Sequence, residues 1–124
     1  MSSMKYDLHL GVNSTETFIT KIEAPSFVEY GIVMAGITHI NDEYYLARQN
    51  SKFHILLYTV SGEGVLNVQT NISSNQHILK SDELLALPSG QSYNYQPQGN
   101  NWHFLWFIIN PTPQWDFLKE VTVQ

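Results

Sequence analysis

With 124 residues, 43% hydrophobic and 13% aromatic, the chain is long enough for one domain with a packed core and too apolar for a disordered one. Eleven acidic residues against six basic ones leave a net charge of −5 and no basic run, so the chain has no means of gripping phosphates by itself. The absence of cysteine excludes disulfides, zinc–thiolate centres and a thiol nucleophile.

Residues 1–22 are polar, lack a clear period and read as an arm or an irregular edge segment. They hold no apolar stretch of the signal-peptide kind, and no run in the chain approaches the roughly 20 residues that span a bilayer. A cytoplasmic chain without membrane contact is therefore expected. Residues 23–110 then form a series of short β-like runs. "FVEYGIVMA" (27–35) is β-branched and aromatic, and "EYYLARQ" (43–49) follows a polar turn at Asn41–Asp42. "FHILLYTV" (53–60) and "VLNVQT" (65–70) flank "SGEG" (61–64), a two-glycine hairpin signal. "QHILK" and "ELLAL" flank a turn at Ser81–Asp82, while "QSYNYQ" and "WHFLWFII" flank the loop "PQGNN". Strands of this length and spacing predict an all-β sandwich or barrel.

In "WHFLWFII", Trp102, Phe104, Trp106 and Ile108 face one way, and His103, Leu105, Phe107 and Ile109 the other. Both faces are apolar enough to be covered. Residues 111–124 change character. In "PTPQWDFLKE", Thr112 reads as an N-cap, Pro113 as the first helical residue and Asp116 as a first-turn acid, so a helix is expected to start there.

The chemistry-bearing residues exclude more than they offer. His9, His39, His54, His77 and His103 include no H-x-H pair, which argues against a metal site. Asp42–Glu43 and Asp82–Glu83 are sequence neighbours and read as solvated turns. There is no G-x-S-x-G elbow, P-loop or G-x-G-x-x-G pattern. What remains is an aromatic and amide set: Tyr93, Tyr95, Trp102, Trp106 and Trp115, with Gln91 and Asn94 nearby. Flat apolar faces with polar edges suit a carbohydrate, but they equally suit an aromatic β-core. Arg48 lies inside a strand-like run, where an inward-facing guanidinium needs a carboxylate or a polar ligand.

In order, "MAGITHI", "YYLARQ", "FHILLYTVSGEGVL", "HILKSDELLALPSGQSYNY", "NWHFLWFIIN" and "QWDFL" resemble the N-terminal sensor domain of AraC-type transcription regulators, over residues 30–118. That family's pattern falls on Arg48, Gly62 and Gly64, Asp82, Pro88 and Gly90, and Trp102 and Trp106, with Ser81 in place of the usual glycine of a G-D turn. The resemblance implies a cupin-like double-stranded β-helix (jelly-roll) barrel over residues 23–110 that binds a small effector, often a sugar, followed by the start of a C-terminal α-helix. It implies no enzymatic activity, a homodimer built largely on helices after the barrel, and DNA contact only through a helix-turn-helix domain beyond residue 124. Metal-holding cupins keep a histidine where this sequence has Tyr93, so no metal and no cofactor are expected. By motif position, the ligand-holding residues of sugar-sensing members correspond to Thr38, Arg48, Tyr95, Phe104 and Trp106, and Tyr93 shares the strand face of Tyr95. Phe104 replaces a histidine of that pattern, which removes one hydrogen bond to a hydroxyl. The resemblance also offers residues 5–20 as an arm folded over the ligand. The alternative is a stand-alone cupin enzyme or sugar-binding protein.

Overall fold

A computed structural model describes residues 5–11, 14–19, 25–41, 44–49, 51–69 and 74–124. The turn Asp42–Glu43 lies outside them. Two long strands organise the fold. The strand at His54–Gln69 and the strand at Ser92–Ile109 pair antiparallel along almost their whole length, from His54↔Ile109 to Gln69↔Ser92. In chain order the elements are β1 (Lys5–Leu10), β2 (Thr15–Phe18), α1 (Pro25–Glu29), β3 (Ile32–Ile40), β4 (Tyr44–Gln49), β5 (His54–Gln69), β6 (Ser74–Leu79), β7 (Leu84–Leu87), β8 (Ser92–Ile109) and β9 (Thr122–Val123).

Because β5 and β8 are each long enough to serve two layers, they divide the remaining strands. The first part of β8 pairs with β4, and β4 with β1, while the second part of β5 pairs with β6. The second part of β8 pairs with β3, and β3 with β2, while the first part of β5 pairs with β7, and β7 with β9. The two halves close face to face as a double-stranded β-helix, as the resemblance implied.

The sequence reading broke both long strands at their glycines, one by a hairpin at 61–64 and the other by a loop at 97–101. Instead, β5 bends at irregularities between Thr59 and Gly64, and β8 bends in step across Pro97–Trp102. Gly62 (φ 74°) and Gly99 (φ 97°) take the left-handed backbone region that such bends require. Each glycine signals a change of direction correctly. Whether that change becomes a hairpin depends on the strand alongside, and here that strand bends too.

Three further expectations change. "FVEYGIVMA" begins as helix α1, and its strand starts only at Ile32. The segment read as an arm or an irregular edge segment holds two regular strands, β1 and β2, each added to a sheet edge. The helix expected from Pro113 is one 3-10 turn, Pro113–Trp115. Thr112 makes no side-chain cap hydrogen bond. Tertiary contacts hold the turn instead: the Trp115 indole N–H donates to the Tyr30 carbonyl (2.7 Å), and the Gln114 amide donates to the Glu29 carbonyl (2.9 Å). The chain then returns to the sheet, where β9 pairs with the edge of β7. Among the described residues, no helix is long and apolar enough to cross a membrane.

The core lies between the halves. Leu57, Leu66, Leu85, Leu87, Trp102 and Phe104 are fully or almost fully buried. The inward face of β8 matches the alternation read from the sequence: Trp102, Phe104, Trp106 and Ile108 are buried, while His103, Leu105 and Phe107 are half-exposed outside.

Candidate functional site

Between β2 and β3 on one side and β4 on the other, the lumen keeps one small cavity of about 30 Å³. Polar Arg48 and Tyr95 line it together with Trp106, and Glu16 and Phe18 of β2 close it. A site for one water needs roughly 10–15 Å³, so this space admits about two waters.

Three of the six residues singled out from the sequence, Arg48, Tyr95 and Trp106, line this cavity. Thr38 stands immediately behind them. The Trp106 indole N–H donates to the Thr38 hydroxyl (2.9 Å), and that hydroxyl donates to Glu16 Oε1 (3.0 Å). The first bond commits one lone pair of the hydroxyl and the second aims its hydrogen, so both Trp106 and Thr38 are fixed in orientation. Tyr93 and Phe104 belong to the packed lumen instead. Phe104 is fully buried against Trp102, with ring centroids 4.2 Å apart. Tyr93 lies parallel to Tyr95 at 6.1 Å.

Gly36 explains how Trp106 fits. It is the cross-strand partner of Trp106, and a Cβ at this position would overlap the indole ring. The ring therefore lies across the bare backbone of β3, within reach of Thr38. Phe18, opposite Gly36 on β2, meets the indole edge-on at 5.6 Å and 82°. An edge-to-face contact of this kind adds about 0.5–1.5 kcal/mol beyond the area it buries.

Glu16 and Phe18, with the apolar Met34, Leu46, Ile55 and Ile108, line the cavity without having been singled out as site residues from the sequence. The alternation in "TETF" was the available signal, with the acid and the ring on one strand face. It was hidden by the polar composition of the segment around it. Burial raises the Glu16 carboxyl above its ordinary 4.5, against the lowering pull of the Thr38 hydroxyl and the Arg48 charge. A carboxyl that holds its proton more tightly when folded stabilises the fold at low pH, and loses that contribution as pH rises through the raised value. Glu16→Gln keeps the acceptor and removes the charge. It is expected to raise the thermal midpoint by a few degrees at pH 7, with the gain vanishing as pH falls below about 4.5. Equal midpoints at pH 7 and at pH 4 would contradict this.

Burial also pushes the Tyr95 phenol well above 10, so Tyr95 stays a neutral hydroxyl beside Arg48. His54 opens β5 and is buried. It accepts the Ser89 backbone N–H at Nδ1 (2.9 Å), and burial lowers its pKa in keeping with a neutral ring. It ties the Pro88–Gly90 turn to β5. Among the described residues no three of His, Asp and Glu come together.

The model of a family described as "AraC-like ligand binding domain" matches residues 31–124. No curated protein matches the chain significantly. Among solved structures, a deletion mutant of oxalate decarboxylase from Bacillus subtilis superposes with a TM-score of 0.66 at 13% identity, over 93% of this chain and 29% of that one. The formate complex of Lactobacillus farciminis oxalate decarboxylase gives 0.64 at 12% identity, over 86% and 31%. A predicted oxalate decarboxylase from Thermotoga maritima gives 0.64 at 17% identity, over 78% and 80%. The chain spans under a third of the length of the first two. At these identities the likeness is one of fold, and the fold is the cupin barrel.

Proposed function

The chain belongs to the AraC-like ligand-binding domain family, and on that premise we propose that it is the effector-sensing domain of a DNA-binding transcription regulator and not an enzyme. The observation that carries this reading is the cavity itself. A cation (Arg48), a neutral hydroxyl (Tyr95) and a fixed indole (Trp106) meet at one small cavity, next to a buried Thr38. Such a set suits the binding of a small molecule. It offers donors for the oxygens of a ligand and a flat face for its body.

The proposed effector is sugar-like in size, with oxygens along one edge. With Phe104 behind the pocket and Phe18 over it, it carries fewer hydroxyls than a pentose. Thr38 shapes the site through Trp106, and Tyr93 and Phe104 back the wall that Tyr95 forms. The proposal includes a DNA-reading helix-turn-helix domain C-terminal to this chain, pairing of the regulator with a second copy, and action in the cytoplasm. The net charge of −5 supports leaving DNA contact to another part of the protein.

A thermal-shift panel of sugars, sugar acids and small aromatics tests the reading. A ligand at a hundredfold excess over its dissociation constant is expected to add about 2.7 kcal/mol of stability. Arg48→Ala is expected to weaken that ligand by roughly tenfold or more, since a hydrogen bond to a charged group contributes about 1.5–3 kcal/mol. A ligand bound equally well by Arg48→Ala would overturn the site.

A further inference from the structure

The sequence contains no H-x-H pair, but that pattern describes two histidines on one strand. The fold makes a pair from two strands. His39 of β3 and His103 of β8 are direct cross-strand partners, and their rings stack with centroids 4.1 Å apart and planes 12° from parallel. Both point away from the lumen, because Thr38 and Phe104, the next pair along the same two strands, are buried inside it. His39 is exposed and His103 half-buried, so the pair is open to solvent.

The neighbours leave these imidazoles available to a ligand. Register sets Thr15 of β2 beside His39 and Ser61 of β5 beside His103, an uncharged row across four strands. Among the described residues, neither ring hydrogen-bonds to a protein group, whereas His54 has its Nδ1 committed to the Ser89 N–H. His77 stands on β6 across from Leu66, so it has no second histidine opposite it.

A neutral imidazole carries one in-plane lone pair and suits borderline divalent ions such as Zn²⁺, Ni²⁺ and Cu²⁺. Two imidazole nitrogens on one tetrahedral ion, at bond lengths of about 2.0–2.1 Å, lie roughly 3.3 Å apart. The paired backbones of β3 and β8 already hold the two rings at that scale. For the lone pairs to converge, the stack opens into a wedge. Rotation about the side-chain bonds of the exposed His39 achieves this and leaves both strands in place.

The geometry points to a surface chelate site: His39 and His103 together bind one divalent transition-metal ion on the outer face of the barrel, with water at the remaining positions. The site is separate from the cavity at Arg48. Once one imidazole holds the ion, the other is presented at high effective concentration by the adjacent strand. A bound ion also clamps β3 to β8 at the row next to Thr38 and Phe104, so it stabilises the strand pairing that carries Thr38 to Trp106.

Titration of the whole chain with Zn²⁺ alone, followed by the imidazole NMR resonances and by thermal shift, tests the site. The His39 and His103 resonances are expected to move together and to saturate at one equivalent, while those of His54 and His77 stay. The thermal midpoint is expected to rise with Zn²⁺ and not with Mg²⁺, a hard ion that prefers oxygen ligands. His39→Gln and His103→Gln should each weaken Zn²⁺ binding by at least about tenfold, since either leaves a lone imidazole. His77→Gln should leave it unchanged. Because His39 is exposed, His39→Gln should match the midpoint of the unaltered chain when no metal is present. Movement of one of the two resonances without the other, equal affinity in His39→Gln, or no response of either ring to millimolar Zn²⁺ would overturn the chelate.

Discussion

Replacing Trp102 by alanine is expected to cost about 3–5 kcal/mol, the range for removing a large aromatic from a packed interior. Trp102 is fully buried, tilts against Phe104 at 4.2 Å and receives the edge of Tyr95 at 5.7 Å. Its indole N–H donates to the Thr59 hydroxyl (3.1 Å), which is also fully buried. Alanine would therefore leave a cavity and an unsatisfied hydroxyl together. Domains of this size hold about 5–15 kcal/mol in total, so a large share of the stability would go. Urea unfolding checks this: the midpoint should fall sharply at an unchanged slope. Trp102→Phe keeps a ring but orphans Thr59, and pairing it with Thr59→Val should recover part of the loss, because removing both polar partners spares the desolvation penalty. A cost under about 1 kcal/mol for Trp102→Ala would mean the lumen is not packed as described.

Gly36→Val is the change expected to damage the site most without touching a polar group. A side chain there overlaps the Trp106 indole, and its Cβ would lie 2.9 Å from the Thr17 carbonyl oxygen of β2. Overpacking of this kind costs about 1–3 kcal/mol. The site is damaged as well. An expelled indole gives up Thr38, and Thr38 then loses the bond that fixes how it faces the pocket. Effector binding should weaken by at least about tenfold, the effect of losing one ordinary hydrogen bond and a stacking face. Indole fluorescence should shift to the red as Trp106 is exposed. Ile37→Val, next door but pointing outward, should alter neither reading. Wild-type binding and fluorescence in Gly36→Val would show that Trp106 does not need the bare backbone of β3.

Stability and site are linked through the same strands. β8 supplies Trp102 to the core and Trp106 and Tyr95 to the pocket, so its alternation sets both at once. β2 supplies nothing to the core described above and everything to the closure of the pocket. Loss of packing around Trp102 and loss of β2 should thus be separable: the first lowers global stability, while the second opens the site with the barrel intact.

The period-two alternation in "WHFLWFII" fixed which residues of β8 face inward, because strand side chains alternate whatever the strand pairs with. The order of short strands and turns likewise determined an all-β sandwich or barrel, and the turn at Ser81–Asp82 formed where expected, with Asp82 (φ 67°) in the left-handed region. Those features are local, decided within a few residues. What tertiary structure alone decided is the fate of signals that depend on a distant partner. Gly62 became a bend and not a hairpin because β8 bends beside it. The N-cap pattern at Thr112 gave a single turn because Trp115 is anchored to Tyr30 and the chain is drawn back to the edge of β7. Glu16, an ordinary acid in a polar segment, became a pocket residue because β2 pairs with β3 in a register that sets it opposite Thr38. Pairing across tens of residues is a property of the folded sheet, and no window of sequence contains it.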